Sequence, residues 1–374
     1  MTAQDRYVAL DGLRGFAVLL VFCVHAAGNS AAVALNLDLE RTSFTALHSA
    51  SERLLFWLYR SHHGVFLFFV LSGFLIGRMW WRNTPPEAAL RAASPPGGPS
   101  ALGRPGGARP VTSYARFAWR RTLRIYPAFL VSFVASLGFA YYSGTWTPPD
   151  IARVIGNAFF LNGAPGTPVA PFNIVTWSLF YEMTFYFAFP LAAMLAAARG
   201  QGVALWVLGI ALPAVAALAG ADIVVVCWSL LFVGVALAVH EDTLSAKVAR
   251  IPGGAVVVAY LAVTTAAMLD ALPVIAAMLA FGAVTLLVVA KSLASGNLVS
   301  QILTCAPLRA LGRVSYSFYL VHWMIVVLVA RAVDGVLGPL PATLAIFLGG
   351  FALCALTAAV CWWLAERPYF ARKS

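Results

Sequence analysis

The chain has 374 residues, of which 61% are apolar and only 10% charged. Soluble globular domains run near half apolar and about a quarter charged, so this composition excludes a water-facing fold. The formal charge of +11, from 25 Lys and Arg against 14 Asp and Glu, would suggest nucleic acid in a soluble protein. In a membrane protein it is the basic loading of cytoplasmic loops, and no nucleic-acid partner is expected.

A bilayer-spanning helix needs about 20 mostly apolar residues. Hydropathy predicts ten such spans, over 8–27, 64–81, 125–142, 174–197, 203–220, 223–239, 255–269, 273–290, 314–333 and 342–364. The expected fold is therefore all-α, a polytopic membrane bundle of about ten transmembrane helices forming a single domain over 1–374. The first run is not a cleavable signal, because Asp11 and Arg14 interrupt its apolar region. With the N-terminus in the cytoplasm, 19 basic residues fall on the cytoplasmic side and 5 outside, with Arg14 within the first span. That asymmetry places both termini in the cytoplasm. Residues 82–115 are Pro/Gly-rich and basic, and read as a mobile cytoplasmic loop. Residues 28–63 and 143–173 read as outward-facing loops. The five cysteines, Cys23, Cys227, Cys305, Cys354 and Cys361, lie in or beside apolar runs and form no C-x-x-C pair. They read as core residues. His48, His62 and His63 lack metal-ligand spacing, so no metal is expected.

Three constellations carry chemistry. In the first span Asp11, Arg14 and His25 fall on one helical stripe, 11-14-18-22-25. Arg14 and His25 are separated by about 16 Å of helix rise, which puts a cation in the inner half of the membrane and an imidazole towards the outer half. A plain Asp11–Arg14 pair at the inner interface, with His25 among headgroups, is the structural alternative. Buried ionisable residues in membranes are costly and mark function. The stretch RFAWRRTLRIYP places Arg116, Arg120, Arg121 and Arg124 immediately before the third span. Four guanidinium groups in nine residues exceed what topology needs and suit phosphate, whether of a cosubstrate or of an anionic lipid. In the fourth span, Ser178, Glu182 and Tyr186 follow at i, i+4, i+8. In the ninth, Ser315, Tyr319 and His322 share a face.

The segments LDGLRGFAVLLVFCVH, FFVLSGFLIGR, RRTLRIYP, WSLFYEMTFY and SYSFYLVH together resemble the acyltransferase-3 family of integral membrane O-acyltransferases, in family order and over the entire chain. The resemblance implies transfer of an acetyl or other short acyl group from cytoplasmic acyl-CoA to a hydroxyl of an extracytoplasmic glycan or lipid-linked glycan, such as O-antigen or exopolysaccharide, in the bacterial cytoplasmic membrane. Acetyl-CoA is then a cosubstrate, with no permanently bound cofactor. By the same resemblance His25 is the motif histidine, Arg14 the motif arginine, and Arg121 with Arg124 the R-x-x-R pair; Arg120 adjoins them as a further phosphate ligand. Some members carry an appended SGNH-type domain. This sequence ends ten residues after its last apolar run, and no such domain is expected.

The expected chemistry is general-base catalysis by His25, with Glu182, His322, Ser178 or Tyr319 as supporting groups and Glu182 as an orienting partner. A covalent acyl-enzyme on a Ser or Tyr is the other route. Acylation of a lipid or small natural product would leave the same motifs. A transporter without chemistry fits the composition, but the chain shows no internal repeat and joins an arginine cluster to a histidine stripe. The sequence leaves the oligomeric state open.

Overall fold

The computed structural model describes residues 5–60, 63–83, 110–148, 150–197, 223–269, 274–294 and 296–371, and its regular elements are all helical. In chain order they are α1 (Asp5–Leu35), α2 (Ala50–Tyr59), α3 (His63–Asn83), α4 (Pro110–Tyr142), α5 (Ile151–Ala158), α6 (Trp177–Ala197), α7 (Ile223–Val239), α8 (Glu241–Ala249), α9 (Gly253–Met268), α10 (Val274–Ser292), α11 (Leu298–Leu303), α12 (Ala306–Arg313) and α13 (Ser315–Val333). The last, α14, covers residues 339–371 and contains π-helical turns at Ala345–Gly349 and Trp362–Glu366. Among the described residues, five stretches are long and apolar enough to cross a membrane: Val8–Leu35, Ala50–Met79, Ala115–Tyr142, Ser315–Val333 and Pro339–Tyr369. Three shorter apolar helices, Cys227–Val239, Gly253–Ala266 and Leu279–Ser292, accompany them. The expected span over 203–220, residues 84–109 of the expected mobile loop, the turn at 270–273 and His62 lie outside the described residues.

Two expected loops contain helix. Within 28–63, α1 runs on to Leu35 and α2 begins at Ala50. The start of α2 is a capping box: Ser49 Oγ accepts from the Glu52 amide at 3.1 Å, and the Glu52 carboxylate accepts from the Ser49 amide at 3.0 Å, which satisfies two otherwise orphaned donors. Within 143–173, α5 is stapled by Arg153. Its guanidinium donates to the carbonyls of Thr145, Ala170 and Pro171 at 2.8, 3.0 and 3.1 Å. The third expected span also starts early, because Pro110 is tolerated at the first helical position and the Arg/Ala-rich stretch after it propagates a helix. The arginines therefore stand on α4 itself. Pro127 lies inside that helix and removes the amide that would bond the Leu123 carbonyl.

The bundle is assembled around close glycine crossings. A methyl group at Gly12 would overlap the Leu303 carbonyl oxygen, one at Gly15 that of Leu308, and one at Gly312 that of Asp11. The backbone of α1 thus lies directly against α11 and α12. Likewise Gly73 of α3 meets the Leu231 carbonyl and Gly234 of α7 meets that of Val70. Lipid tails are as apolar as leucine, so helices in a membrane associate by such close backbone approach, which small residues permit.

Several basic residues tie neighbouring helix ends together. Arg78 Nη1 lies 3.4 Å from Glu241 Oε1. Lys291 Nζ donates to the Val248 and Ala249 carbonyls at 2.9 and 3.1 Å, closing the C-terminus of α8, where a cation is favoured. The Tyr369 hydroxyl donates to the Arg120 carbonyl at 3.1 Å.

Candidate active site

A narrow cavity of about 90 Å³ opens among α1, α3, α4, α6 and α13. One part of its wall is cationic: Arg14 from α1, and Arg121 and Arg124 from α4, all line it. Arg14 is steadied by Asp11, Nη1 to Oδ1 3.3 Å, the i, i+3 contact that the stripe predicts. Arg121 is buried, and its guanidinium lies over the rings of Phe117 and Tyr186, at 5.6 and 5.4 Å from their centroids. Desolvated stacking of this kind holds a planar cation in place. Arg120 is exposed and stands outside this wall.

The other walls are polar in a fixed pattern. Ser178, Glu182 and Tyr186 all reach the cavity from α6, as their spacing of four requires. The Glu182 carboxylate accepts hydroxyl hydrogens from Ser72, at 3.1 Å, and from Tyr186. Tyr319 also lines the cavity. Its hydroxyl donates to the Val175 carbonyl at 2.6 Å and is 2.8 Å from Ser178 Oγ. Since a phenol has one proton, Ser178 donates to Tyr319.

Beyond Tyr319 stand the two histidines. His322 is fully buried, and its Nδ1 lies 2.7 Å from the Tyr319 carbonyl oxygen. A carbonyl only accepts, so Nδ1 carries a proton, and in the neutral ring Nε2 is then the nitrogen with the lone pair. Nε2 has no hydrogen-bond partner among the described residues. The ring against it is that of His25, with centroids 5.1 Å apart and planes inclined by 50°. His25 lines a second, larger cavity of about 500 Å³ at the far end of α1. Glu182, expected as an orienting partner of His25, is instead engaged by Ser72 and Tyr186 within the first cavity.

A family model described as an acyltransferase domain matches residues 7–365, nearly the whole chain. The chain belongs to the acyltransferase-3 family. No curated protein and no solved structure matches it.

Within this acyltransferase-3 chain, several polar contacts lie beyond the sequence reading. Ser72, the serine of the LSGF segment, is the partner of Glu182. Tyr316 lines the cavity and donates to the Ile125 carbonyl at 3.0 Å. Asn173 Nδ2 and Ser132 Oγ both donate to the Leu320 carbonyl, at 2.7 and 3.1 Å, and so fix α13 two residues before His322. Glu366 is buried and accepts from the amide and hydroxyl of Ser317. A carboxylate in the apolar run CWWLAERPYF was the signal for it, since such groups need partners in a membrane.

Proposed function

We propose that this membrane acyltransferase moves a short acyl group, acetyl in the simplest case, from cytoplasmic acyl-CoA to a hydroxyl of a glycan or lipid-linked glycan on the opposite side of the bilayer. The observation that carries this reading is the pairing of three guanidinium groups at one end of a buried cavity with two touching imidazoles beyond its other end. Arg14, Arg121 and Arg124 hold the CoA phosphates, and the pantetheine arm runs along the narrow cavity towards Tyr319. His25 takes the proton of the acceptor hydroxyl as its oxygen attacks the thioester carbonyl. The tetrahedral adduct then collapses, the C–S bond breaks, and the departing thiolate takes up that proton. His322 supports the transfer by offering an unprotonated nitrogen beside His25. Ser178 donates to Tyr319, and neither Tyr319 nor Val175 is a base that activates it as a nucleophile. Direct transfer is the proposed route; an acyl-enzyme would instead use Ser72 or Tyr186, whose hydroxyls donate to the Glu182 carboxylate.

Purified protein incubated with radiolabelled acetyl-CoA and a lipid-linked glycan tests the reading. Label is expected in the glycan. Label that stays on the protein, or reaches only membrane lipid, overturns the route or the acceptor.

The arginine assignment has its own test. The double variant Arg121→Ala/Arg124→Ala is expected to weaken CoA binding by about two to four orders of magnitude, as two charge-assisted pairs of about 1.5–3 kcal/mol each are lost. The double Lys variant recovers only part, because an ammonium lacks the bidentate fork. Calorimetry on the detergent-solubilised variants measures both, and unchanged CoA affinity in the Ala variant refutes the site.

For topology, the 19-to-5 split of basic residues along the sequence favours both termini cytoplasmic, with ten spans as hydropathy reads them. Native Cys305 is exposed on the arginine side and Ser51 is exposed on α2. An impermeant maleimide applied to intact cells is expected to label Ser51→Cys and to spare Cys305. The reverse pattern inverts the protein in the membrane.

A further inference from the structure

The second cavity, about 500 Å³, falls within the size range of small-molecule sites, about 300–1,000 Å³. Its form follows from how α1 ends. Asn36 takes a left-handed φ of +50° directly after the helix, and the Leu37 amide donates back to the Ala31 carbonyl at 3.0 Å. Asparagine tolerates that conformation at little cost and commonly closes a helix this way. The turn brings Asp38 and Glu40 into the cavity wall, which also contains His25, Asn29, Tyr59 and Trp323. Asp38 is held in place, with Oδ1 accepting from the Glu40 amide at 3.0 Å and Oδ2 lying 3.5 Å from Arg41 Nε.

The wall is rich in acceptors. Carboxylates only accept hydrogen bonds. Asn29 commits its Nδ2 to the His25 carbonyl at 2.8 Å, which leaves its oxygen for a ligand. Tyr59 and Trp323 add amphipathic faces of the kind that cover a ring and still hydrogen-bond at one edge. Among the described residues, no Lys or Arg lines the cavity. Arg41 reaches Asp38 from solvent, with its side chain 88% exposed, and Glu40 makes no ion pair among the described residues. An anion entering here meets two carboxylates, whereas hydroxyl or amine hydrogens meet partners.

We propose that this cavity is the acceptor subsite and that it takes a sugar ring bearing no negative charge. The proposal rests on the reading that the acyl group is delivered at the histidine end, and it adds the charge of the acceptor. A ring seated against Tyr59 and Trp323 presents its hydroxyl to His25, while Asp38 and Glu40 bind its remaining donors and repel uronic, phosphorylated or sulfated rings.

Saturation-transfer NMR on the purified full-length protein in detergent, with no acyl donor present, tests this with three probes: a methyl hexoside, a methyl 2-amino-2-deoxyhexoside and a methyl hexuronoside. The first two are expected to bind, and the uronoside about tenfold or more weakly, since like charges brought together suppress the wrong partner. Asp38→Asn/Glu40→Gln is expected to bring the uronoside level with the neutral ring. Glu40→Gln alone leaves the Asp38 turn intact and should recover part of that binding, even where the double variant misfolds. Equal binding of uronoside and neutral ring by the wild type overturns the proposal, as does discrimination that survives in the folded variants, or the absence of signal from all three probes. Because binding is read without a donor, a chain with no transferase activity can pass this test and an active transferase can fail it.

Discussion

His25→Gln is expected to fold, to bind acyl-CoA as the wild type does, and to lose glycan acylation by roughly 10² to 10⁴ in rate, the usual contribution of a general base. Glutamine keeps the side chain's polarity and approximate size, and its amide oxygen can still accept a hydrogen bond. What it cannot do is carry a proton away and return it to the thiolate. Its position makes the separation clean. His25 lies about 16 Å along α1 from Arg14 by helix rise and lines the second cavity, while the arginines line the first. Phosphate affinity and proton transfer should therefore respond to different substitutions. The measurement is the initial rate of radiolabel transfer, with CoA affinity determined on the same sample. A Gln variant that retains more than about a tenth of the wild-type rate, far above the loss expected for a missing base, removes His25 from that role. His322, buried against it with an Nε2 that has no hydrogen-bond partner among the described residues, then becomes the candidate.

Gly12→Ala is expected to be the most damaging methyl among the described glycines. The added carbon overlaps the Leu303 carbonyl oxygen, which belongs to a helix backbone and cannot rotate aside. Relief requires α1 to move away from α11 and α12. Overlap of this kind belongs to the rare class of substitutions costing more than about 4 kcal/mol. Gly312→Ala, which meets the Asp11 carbonyl from the other helix, should match it. Gly138→Ala in α4 has open space around the new methyl and should be neutral or stabilising by up to about 1 kcal/mol. Thermal unfolding followed by size-exclusion chromatography in detergent separates the three. A Gly12→Ala protein that melts with the wild type would show that these helices do not cross as described.

Much of the site was legible because helix periodicity is local. The Asp11–Arg14 contact and the Ser178–Glu182–Tyr186 face needed only 3.6 residues per turn. Periodicity does not say which way a helix faces when its markers are spread around it. Arg116, Arg120, Arg121 and Arg124 cover much of the circumference of α4, and only packing decides that 121 and 124 look inward while 116 and 120 are exposed. Pairing between distant helices was also beyond reach. His25 and His322 meet because α1 and α13 pack side by side, and Gly12 and Gly15 mark crossings whose partners no local pattern reveals. Glu366 was hidden for a further reason. The π turn at Trp362–Glu366 breaks the α-helical phase, so extrapolating the stripe along α14 misplaces the carboxylate that meets Ser317. In the fold, the helical parts of 28–63 read as loops because polar residues interrupt their apolar runs, Asn29 and Ser30 in α1 and the AlaSerGluArg that opens α2.

The uninterrupted course of α1 from Asp5 to Leu35 has one more implication. A single rod carries both Arg14 and His25, and its glycines lock it against α11 and α12. The proposed phosphate anchor and the proposed base are thus graduations on one ruler rather than parts of two bodies that close on each other. If the proposed donor is correct, the length of its arm is gauged against that ruler before any chemistry begins. Donor selection is then a matter of reach, and the identity of the acyl group is left to whatever space surrounds the end of the arm.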